Sequence, residues 1–332
     1  MSRRWRSCCA SRLLREMARR AVVLMNLGGP DSPQAVRPFL VNLFSDPAII
    51  ALPAIARLPL AHLIARRREK VARDIYDHMG GGSPLVANTK AQAAALEDAL
   101  GDDYRCFVAM RYWRPLTEET MAEVKAWQPD EVICLPLYPQ YSTTTTASSL
   151  AAWRREATRQ GLVSRMRIVA EYPIATGFIA ALAERIAPLL DAAKAQHANV
   201  RLLLSAHGLP LKIVRAGDPY PQQVEATAAA LVTVLGRPGL DWVVCYQSRV
   251  GPLAWLGPAT DEEIRRAGSE GVALVVAPIA FVSEHSETLV ELDRDYCRLA
   301  EGCGVPGYYR APTVGTHPRF IAALAELARA AL

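Results

Sequence analysis

With 332 residues, of which 51% are hydrophobic and 21% charged, the chain has enough apolar material for the cores of two domains of ordinary size. This composition excludes an intrinsically disordered or fibrous protein. The 38 Lys and Arg residues exceed the 33 Asp and Glu residues by a formal charge of +5, which is too small an excess to indicate a nucleic-acid-binding protein.

Neither of two unusual segments near the N-terminus has the pattern of a targeting signal or a membrane-spanning helix. Residues 1–20 are rich in arginine but contain no apolar run long enough for a secretory signal peptide. We predict a disordered basic leader or, alternatively, a start site at Met17. Residues 47–65 form the longest apolar stretch, but Arg57, His62 and three prolines interrupt it. That composition argues against a helix that crosses a membrane.

Short apolar runs bounded by turn residues alternate with helix-like segments along the whole chain. This pattern predicts an α/β protein with parallel strands. Several runs are apolar without interruption, which indicates burial on both faces, as in a doubly wound sheet with helices on each side. We predict two similar sheets of four strands each. The predicted strands are residues 21–27, 104–112, 131–139 and 165–172, followed by residues 201–206, 242–247, 272–281 and 308–310.

The boundary between the two halves is predicted near residues 172–178, where Pro173 and Gly177 interrupt the pattern. We therefore predict an N-terminal domain over residues 21–175 and a C-terminal domain over residues 176–317. Residues 318–332 have the pattern of an amphipathic helix with an N-cap at Thr316. This helix could pack on the N-terminal domain.

Glycine-rich turns follow the first strand and a later helical segment. Gly28, Gly29 and Pro30 lack the third glycine of a dinucleotide fingerprint, so a tight turn explains them about as well as a phosphate site does. The glycines at 80–82 lack the Lys-Ser/Thr ending of a P-loop. We predict that they form a flexible turn that brings backbone close to a ligand.

His207 directly follows the fifth predicted strand, within the sequence SAHGLP. Ligands of doubly wound sheets bind beyond the carboxyl ends of the strands. An imidazole at that position, with small neighbours, is suited to act as a base or a metal ligand. The alternative is a structural histidine with satisfied hydrogen bonds.

Three glutamates follow the most apolar strand of the chain. On an α-helix, Glu284, Glu287 and Glu291 would lie on one face and form a line of carboxylates that leads away from the strand end. Such like charges repel unless a cation or shared protons stabilise them. A solvated helix face is the alternative. Because His207 and one carboxylate fall short of the three or four ligands of a retained zinc ion, we predict transient metal handling.

Flat aromatic side chains and a cation lie near other predicted strand ends. Together with the apolar residues 47–65, they indicate a large, flat, hydrophobic ligand that carries carboxylates. Packing in the core is the alternative for each aromatic residue. The residues concerned are Arg111, Tyr112, Trp113, Tyr246 and Trp255.

Several long motifs in fixed order make the sequence resemble the ferrochelatase family, the enzymes that insert ferrous iron into a porphyrin in haem biosynthesis. The motifs are LMNLGGPDS, GGGSPL, MRYWRPLTEE, PLYPQYS with TTTTASSL, LLLSAHGLP, GDPYPQQV, YQSRVGPLAWLGPAT and FVSEHSETLVELD. The resemblance covers residues 22–332. It implies two Rossmann-like domains, each with a four-stranded parallel sheet flanked by helices, and a porphyrin cleft between them.

The resemblance also implies roles for individual residues. His207 and Glu287 correspond to the family's metal-site or proton-handling residues, with Glu287 opposite His207 across the macrocycle. Glu284, His285 and Glu291 correspond to the polar path beside them. The porphyrin-contact positions are Leu27, Arg68, Tyr76, Ser83, Arg111 and Tyr112, to which we add the aromatic residues Tyr246 and Trp255. Leu27 stands where the family has a methionine, which removes a thioether from that position.

The implied reaction converts protoporphyrin IX and Fe²⁺ into protohaem and two protons. Fe²⁺ is a substrate, and no cofactor is expected to be bound permanently. The macrocycle must be distorted to expose its nitrogen lone pairs, so the site should favour a bent ring over a flat one. Because a protonated His207 would repel the cation, we expect the activity to fall at acid pH.

Some members of the family bind a [2Fe–2S] cluster, which we do not expect here. Thr143 replaces the loop cysteine, and no cysteine follows Cys303. The seven cysteines form no CxxC pair, which predicts a reducing, cytoplasmic location. Residues 44–65 correspond to an apolar lip at the pocket mouth. With the arginines at 66–68, this lip predicts weak docking on an anionic membrane surface, with core burial as the alternative.

Two other functions stay open at this point. One is a chelatase for another tetrapyrrole, such as coproporphyrin or a cobalt-receiving precursor. The other is a non-catalytic porphyrin or haem carrier, which would need the pocket but not the proton path. A nucleotide-dependent oxidoreductase is disfavoured, because neither half contains a dinucleotide fingerprint. No nucleic acid is expected as a partner.

Overall fold

The computed structural model describes residues 18–162, 164–249 and 253–332. Met17 and most of the predicted leader therefore lie outside the described residues. The N-terminal half contains β1 (Arg20–Asn26), α1 (Val36–Phe44), α2 (Ala54–Asp77), α3 (Leu85–Leu100), β2 (Tyr104–Met110), α4 (Thr117–Trp127), β3 (Glu131–Pro136), α5 (Thr146–Gln160) and β4 (Arg165–Ile168).

The second half repeats the alternation of strands and helices. It contains α6 (Thr176–Gln196), β5 (Val200–His207), α7 (Leu211–Arg215), α8 (Tyr220–Leu235), β6 (Asp241–Gln247), α9 (Thr260–Glu270), β7 (Ala273–Pro278), a π-helix (Glu287–Tyr296), α10 (Cys297–Gly302), β8 (Tyr308–Arg310) and α11 (Pro318–Ala330). The helices separate successive strands, which is what parallel pairing requires.

The eight predicted strands form two parallel four-stranded sheets, as the sequence predicted. Their orders are β2-β1-β3-β4 and β6-β5-β7-β8. The predicted third and seventh strands end earlier than expected, at Pro136 and Pro278. Proline has no N–H to donate to the ladder, so it commonly stands where pairing stops.

The central strands β1 and β5 carry continuous apolar side chains because helices cover both faces of each sheet. One buried cluster contains residues of both sheets, including Leu24 on β1 and Leu204 on β5. Phe178 and Phe320 pack against each other in the same cluster, with ring centroids 5.8 Å apart. The two sheets are therefore joined by a shared apolar core.

The C-terminal helix α11 packs against α3 and α6. Its N-cap is His317, whose Nδ1 accepts a hydrogen bond from the backbone N–H of Arg319, so the prediction of Thr316 was one residue too early. Gly177 lies so close to the Arg319 carbonyl that a Cβ at this position would clash with the oxygen. The small residue thus allows α6 and α11 to approach closely. None of the described helices is long and apolar enough to cross a membrane.

The two glycine-rich turns pack on each other. Gly28 has a φ of +85°, and a Cβ on Gly29 would lie 2.5 Å from the Ser83 hydroxyl. The N–H of Ser83 donates to the Pro30 carbonyl at 2.7 Å. The glycines therefore allow two backbone segments to approach closely, which supports the interpretation of residues 28–30 as a tight turn.

Candidate active site

Parallel pairing brings three strand ends of the second sheet together. In the ladder, His207 at the end of β5 pairs with Gln247 at the end of β6. On the other side of β5, Ser205 pairs with Pro278 at the end of β7. The chain that leaves β7 enters the π-helix at Glu287. The carboxyl edge of this sheet therefore collects the histidine and the acidic segment, as expected for a doubly wound sheet.

His207 and Glu287 form a direct hydrogen bond between Nδ1 and Oε2, with 2.7 Å between the two atoms. Their side chains are 40% and 25% exposed, so a ligand can reach them. Burial alone would lower the pKa of His207, but the charge and hydrogen bond of Glu287 raise it above the ordinary value. Burial would likewise raise the pKa of Glu287, but His207 and, more weakly, His285 and Ser248 hold it well below its usual range.

This contact corrects one expectation. Glu287 was expected opposite His207 across the macrocycle, but no ring fits between two atoms at hydrogen-bond distance. The two side chains instead form a pair at one edge of the C-terminal sheet. They would therefore meet a ligand from the same side.

His285 is the second histidine near the Glu287 carboxylate. Its Nε2 is 3.9 Å from Glu287 Oε2, and its Nδ1 is 3.1 Å from the Ser283 carbonyl, to which it can donate. Its ring packs against Phe281 with centroids 4.7 Å apart. Burial lowers the pKa of His285, although the nearby Glu287 carboxylate opposes that effect. The Glu287 carboxylate thus approaches two histidines: His207, whose pKa is raised, and His285, whose pKa is lowered.

Glu291 is held by three neighbours, none of which was among the predicted site residues except through its position in a motif. Its carboxylate accepts hydrogen bonds from Gln247 Nε2 at 3.1 Å, the Ser248 N–H at 2.8 Å and the Tyr296 hydroxyl at 3.0 Å. The Ser248 hydroxyl contacts both Glu291 and Glu287. Burial and the charge of Glu287 raise the pKa of Glu291. Ser248 therefore connects a strongly acidic carboxyl group to a weakly acidic one.

Ser248 has a φ of +62°, which is rare for a residue with a Cβ. Such strain is typical of functional sites, where the surrounding structure holds it in place. The only available sequence signal was the position of Gln247 and Ser248 directly after β6, within YQSRVGP. The side-chain contacts themselves could not be predicted from that position.

The three glutamates do not share one α-helical face, which corrects the second expectation. Glu287 and Glu291 lie on a π-helix, whereas Glu284 precedes it. The Glu284 carboxylate accepts hydrogen bonds from Arg310 Nη1 at 2.7 Å and from the Thr313 N–H at 2.9 Å. Burial would raise the pKa of Glu284, but Arg310 lowers it. Glu287 therefore pairs with a histidine and Glu284 with an arginine, whereas Glu291 is held by uncharged partners.

Tyr76, at the end of α2, approaches this site from the N-terminal half. Burial raises the pKa of Tyr76 to about 12, with an added contribution from the charge of Glu287 and an opposing one from Ser286. Leu27 packs in the same apolar cluster as Tyr76. Arg68 lies half-buried two turns before Tyr76 on α2. Of these predicted porphyrin contacts, Tyr76 is the one that lies near Glu287.

The side chains of Arg111 and Tyr112 form hydrogen bonds within the protein. Arg111 Nη2 and the Tyr112 hydroxyl both donate to Asp46 Oδ2 at 2.7 Å, and Arg111 Nε donates to the Ser148 hydroxyl at 2.8 Å. Burial would raise the pKa of Asp46, but these partners lower it. Because Tyr112 is only 1% exposed, it cannot present a face to a ligand in this conformation. The predicted porphyrin contact at Tyr112 is therefore wrong, and its hydroxyl instead holds Asp46.

Tyr246 and Trp255 differ in position. Tyr246 is 3% exposed and belongs to the central core, so the alternative of core packing is the correct one for it. Trp255 is half-buried, and its backbone forms a bridge with Pro210, next to the segment that follows His207. The Trp255 ring lies beside Gly208, the residue that follows His207, because a Cβ on Gly208 would stand 3.5 Å from it.

The described residues contain no group of three or more His, Cys, Asp or Glu side chains arranged to hold a metal ion. Two surface cavities of about 540 and 650 Å³ are lined by other parts of the chain, and neither includes His207 or Glu287. His207 and Glu287 are thus a partly exposed two-residue site.

Much of the predicted lip, residues 44–65, is exposed, although Ala61 and Ala65 are buried. Its apolar side chains include Ile55, which is 88% exposed at the start of α2. Burial in the core was the alternative prediction for the lip, and the exposure of these side chains contradicts it. The other large apolar side chains exposed in this stretch are Ile49, Leu52, Leu58 and Leu63.

Comparisons with known proteins show the family of the chain. The ferrochelatase family model matches residues 19–332. The ferrochelatase of Caulobacter vibrioides is 56% identical over 314 residues, covering 93% of this chain and 89% of the relative. The ferrochelatase of Phenylobacterium zucineum is 57% identical over 317 residues, covering 94% and 91%.

A solved structure shows the same fold at low sequence identity. The sirohydrochlorin chelatase SirB from Bacillus subtilis subspecies spizizenii, in complex with cobalt, matches with a TM-score of 0.54 and 15% identity over 94% of each chain. From its motifs, its paired parallel sheets and these relatives, the chain belongs to the ferrochelatase family, the chelatases that insert a metal ion into a porphyrin for haem synthesis.

Proposed function

We propose that this protein inserts Fe²⁺ into protoporphyrin IX and releases two protons. The observation that supports this proposal best is the hydrogen-bonded pair of His207 and Glu287, which is accessible at the carboxyl edge of the second sheet. Metal insertion needs a base for the pyrrole protons and a negative charge that attracts the cation. This pair supplies both at adjacent atoms.

The protons can leave the macrocycle in two steps. His207 accepts the first when it is neutral, and its contact with Glu287 stabilises the imidazolium that results. Glu291 can accept the second, because its pKa is raised and the Ser248 hydroxyl connects it to Glu287. The products are one metalloporphyrin and two protons, which balances the charge of the incoming Fe²⁺.

We propose that the porphyrin binds between an N-terminal domain of residues 21–175 and a C-terminal domain of residues 176–317. Tyr76 supports this placement, since it comes from the first half and lies close enough to Glu287 to sense its charge. Arg68 and Ser83 are the proposed polar contacts for the ring's carboxylates, and Leu27 and Trp255 the proposed apolar ones.

We also propose that the enzyme works without a [2Fe–2S] cluster. Thr143, at the position of the loop cysteine in cluster-containing members, donates from its hydroxyl and its N–H to Asp218 at 2.6 and 2.7 Å. A hydroxyl in this role is no ligand for a cluster. An iron and sulfide analysis of protein purified anaerobically should find no stoichiometric cluster. A spectrum typical of [2Fe–2S] would refute this proposal.

We propose a cytoplasmic location with weak attachment to an anionic membrane surface. The described cysteines at 106, 134, 245, 297 and 303 are unpaired, as in a reducing compartment. The exposed lip continues into the basic residues 66–68. Flotation with vesicles that contain anionic lipid should recover more of the intact protein than of the Ile55→Asp variant. Equal recovery would refute the docking proposal.

The central experiment is anaerobic incubation of the purified protein with protoporphyrin IX and Fe²⁺, followed by absorption. We expect wild-type turnover and a loss of at least about 100-fold in kcat for His207→Ala, the size typical of a removed general base. Coproporphyrin and Co²⁺ in parallel assays test the other chelatase functions. Porphyrin binding without turnover by the wild-type protein would identify a carrier and refute the proposal.

A further inference from the structure

The chain that leads into the π-helix is held by a side chain from the other half of the protein. Gln92 on α3 is fully buried. Its Nε2 donates to the carbonyls of Val282 and Gly315, each at 3.0 Å. Its Oε1 accepts from the Ser283 hydroxyl at 2.9 Å. One amide thus uses both donors and an acceptor to fix the segment that precedes Glu287.

A second amide on α3 extends this contact. Asn88 Nδ2 donates to the Glu284 carbonyl at 3.0 Å. Residues four apart lie on the same face of an α-helix, so Asn88 and Gln92 present one surface to residues 282–284. Three consecutive residues of that segment are therefore attached to a helix that packs on the first sheet.

The energetics indicate a role beyond packing. A buried amide costs about 1–3 kcal/mol for each group that finds no partner, so a glutamine is retained in a core only when its geometry is satisfied. An apolar side chain would fill the same space without orienting the segment. Gln92 instead fixes the path of residues 282 and 283, only a few residues before Glu287.

His207 does not share this attachment, because it lies at the end of β5 in the second sheet. The second sheet holds His207 and, through Gln247 Nε2, also the Glu287 carbonyl at 2.9 Å, whereas α3 holds the segment that precedes Glu287. The distance between His207 and Glu287 therefore depends on both supports. We propose that Gln92 is a positioning residue that holds Glu287 at hydrogen-bond distance from His207. This inference rests on the proposed roles of His207 and Glu287.

The test is Gln92→Met, which keeps the length of the side chain and removes its hydrogen bonds. We expect kcat for iron insertion to fall about 10- to 100-fold, the effect of a displacement of about 1 Å at a reacting group. The KM for the porphyrin should change by less than about twofold, because the contacts that bind the ring are retained. A loss confined to KM would overturn the inference.

Gln140→Met is the matched control. Gln140 is 2% exposed and also connects the two halves, donating from Nε2 to the Thr227 hydroxyl at 2.8 Å and to the Ile279 carbonyl at 3.2 Å. Both variants should lower the free energy of unfolding. Only Gln92→Met should lower the kcat of the folded protein. Equal losses of kcat in the two variants would assign Gln92 a purely structural role.

A double-mutant cycle tests whether Gln92 acts through Glu287. If it does, Gln92→Met combined with Glu287→Gln should be no slower than Glu287→Gln alone. Additive losses would overturn the inference. If Gln92→Met does not fold, Asn88→Ala tests the inference instead. A lowered kcat in Asn88→Ala would support the inference, and an unchanged kcat would overturn it. Wild-type kcat in His207→Ala would refute the proposed function itself, independently of any result with Gln92.

Discussion

Glu287→Gln should shift the pH dependence of the reaction in a direction that the structure fixes. In the wild-type protein, the carboxylate raises the pKa of His207, so the imidazole becomes neutral only above its ordinary range. A protonated His207 repels Fe²⁺ and cannot accept a pyrrole proton. The acid limb of the rate profile should therefore lie above the ordinary imidazole pKa of about 6.5. Removal of the charge should move that limb to lower pH.

The size of the shift follows from the distance between the two groups. Unit charges 2.7 Å apart interact with about 1.5 kcal/mol at the dielectric constant of water, and with about 6 kcal/mol at an effective value of about 20. Because 40% of the His207 side chain is exposed, solvent screening favours the lower figure. Loss of that interaction lowers the pKa of His207 in Glu287→Gln. The charge of Glu291 persists in the variant and keeps the decrease from being larger.

The assay combines two measurements. An NMR titration follows His207 among the six histidines, with its signal assigned from His207→Ala. The pH dependence of kcat/KM for iron reports the same group in the free enzyme. Glu97→Gln is the control, since Glu97 accepts a hydrogen bond from the Cys106 N–H at 2.6 Å, in the N-terminal half. An unchanged or raised His207 pKa in Glu287→Gln would refute the reasoning.

Two further predictions concern the stability of the site's supports. Arg310→Met should lower the free energy of unfolding by about 3 kcal/mol in urea denaturation, because it leaves the Glu284 carboxylate without its ionic partner. The double variant with Glu284→Gln should recover part of this loss. A double variant that recovers none of it would contradict this explanation. The lowered pKa of Asp46 implies stabilisation that is complete above its unfolded pKa and lost as the pH falls through the folded pKa. Asp46→Asn should therefore have a free energy of unfolding about 1–3 kcal/mol below that of the wild type at pH 7, with a smaller difference at acid pH. A difference that does not change with pH would contradict the stabilising role of the ionised Asp46.

The alternation of apolar runs and helical segments was sufficient to predict two four-stranded parallel sheets, because burial on both faces leaves a strong signal in a strand. It also placed His207 at a strand end, where such sheets bind ligands. Strand ends were less certain, since β3 and β7 stop at prolines inside longer apolar runs. The predicted N-cap of α11 was wrong by one residue, because sequence patterns do not locate the end of a helix to a single residue.

The sequence by itself determined the family, the order of the elements and the residue types available for metal and proton handling. Only the tertiary structure decided which of those residues meet. The π-helix turned Glu287 and Glu291 toward Ser248 and left Glu284 to Arg310, and the sheet edge brought His207 within hydrogen-bond distance of Glu287. Burial likewise separated Tyr246, which packs in the core, from Trp255. The physical reason is that periodicity specifies a local face, whereas charge pairing and burial depend on contacts between residues far apart in the chain.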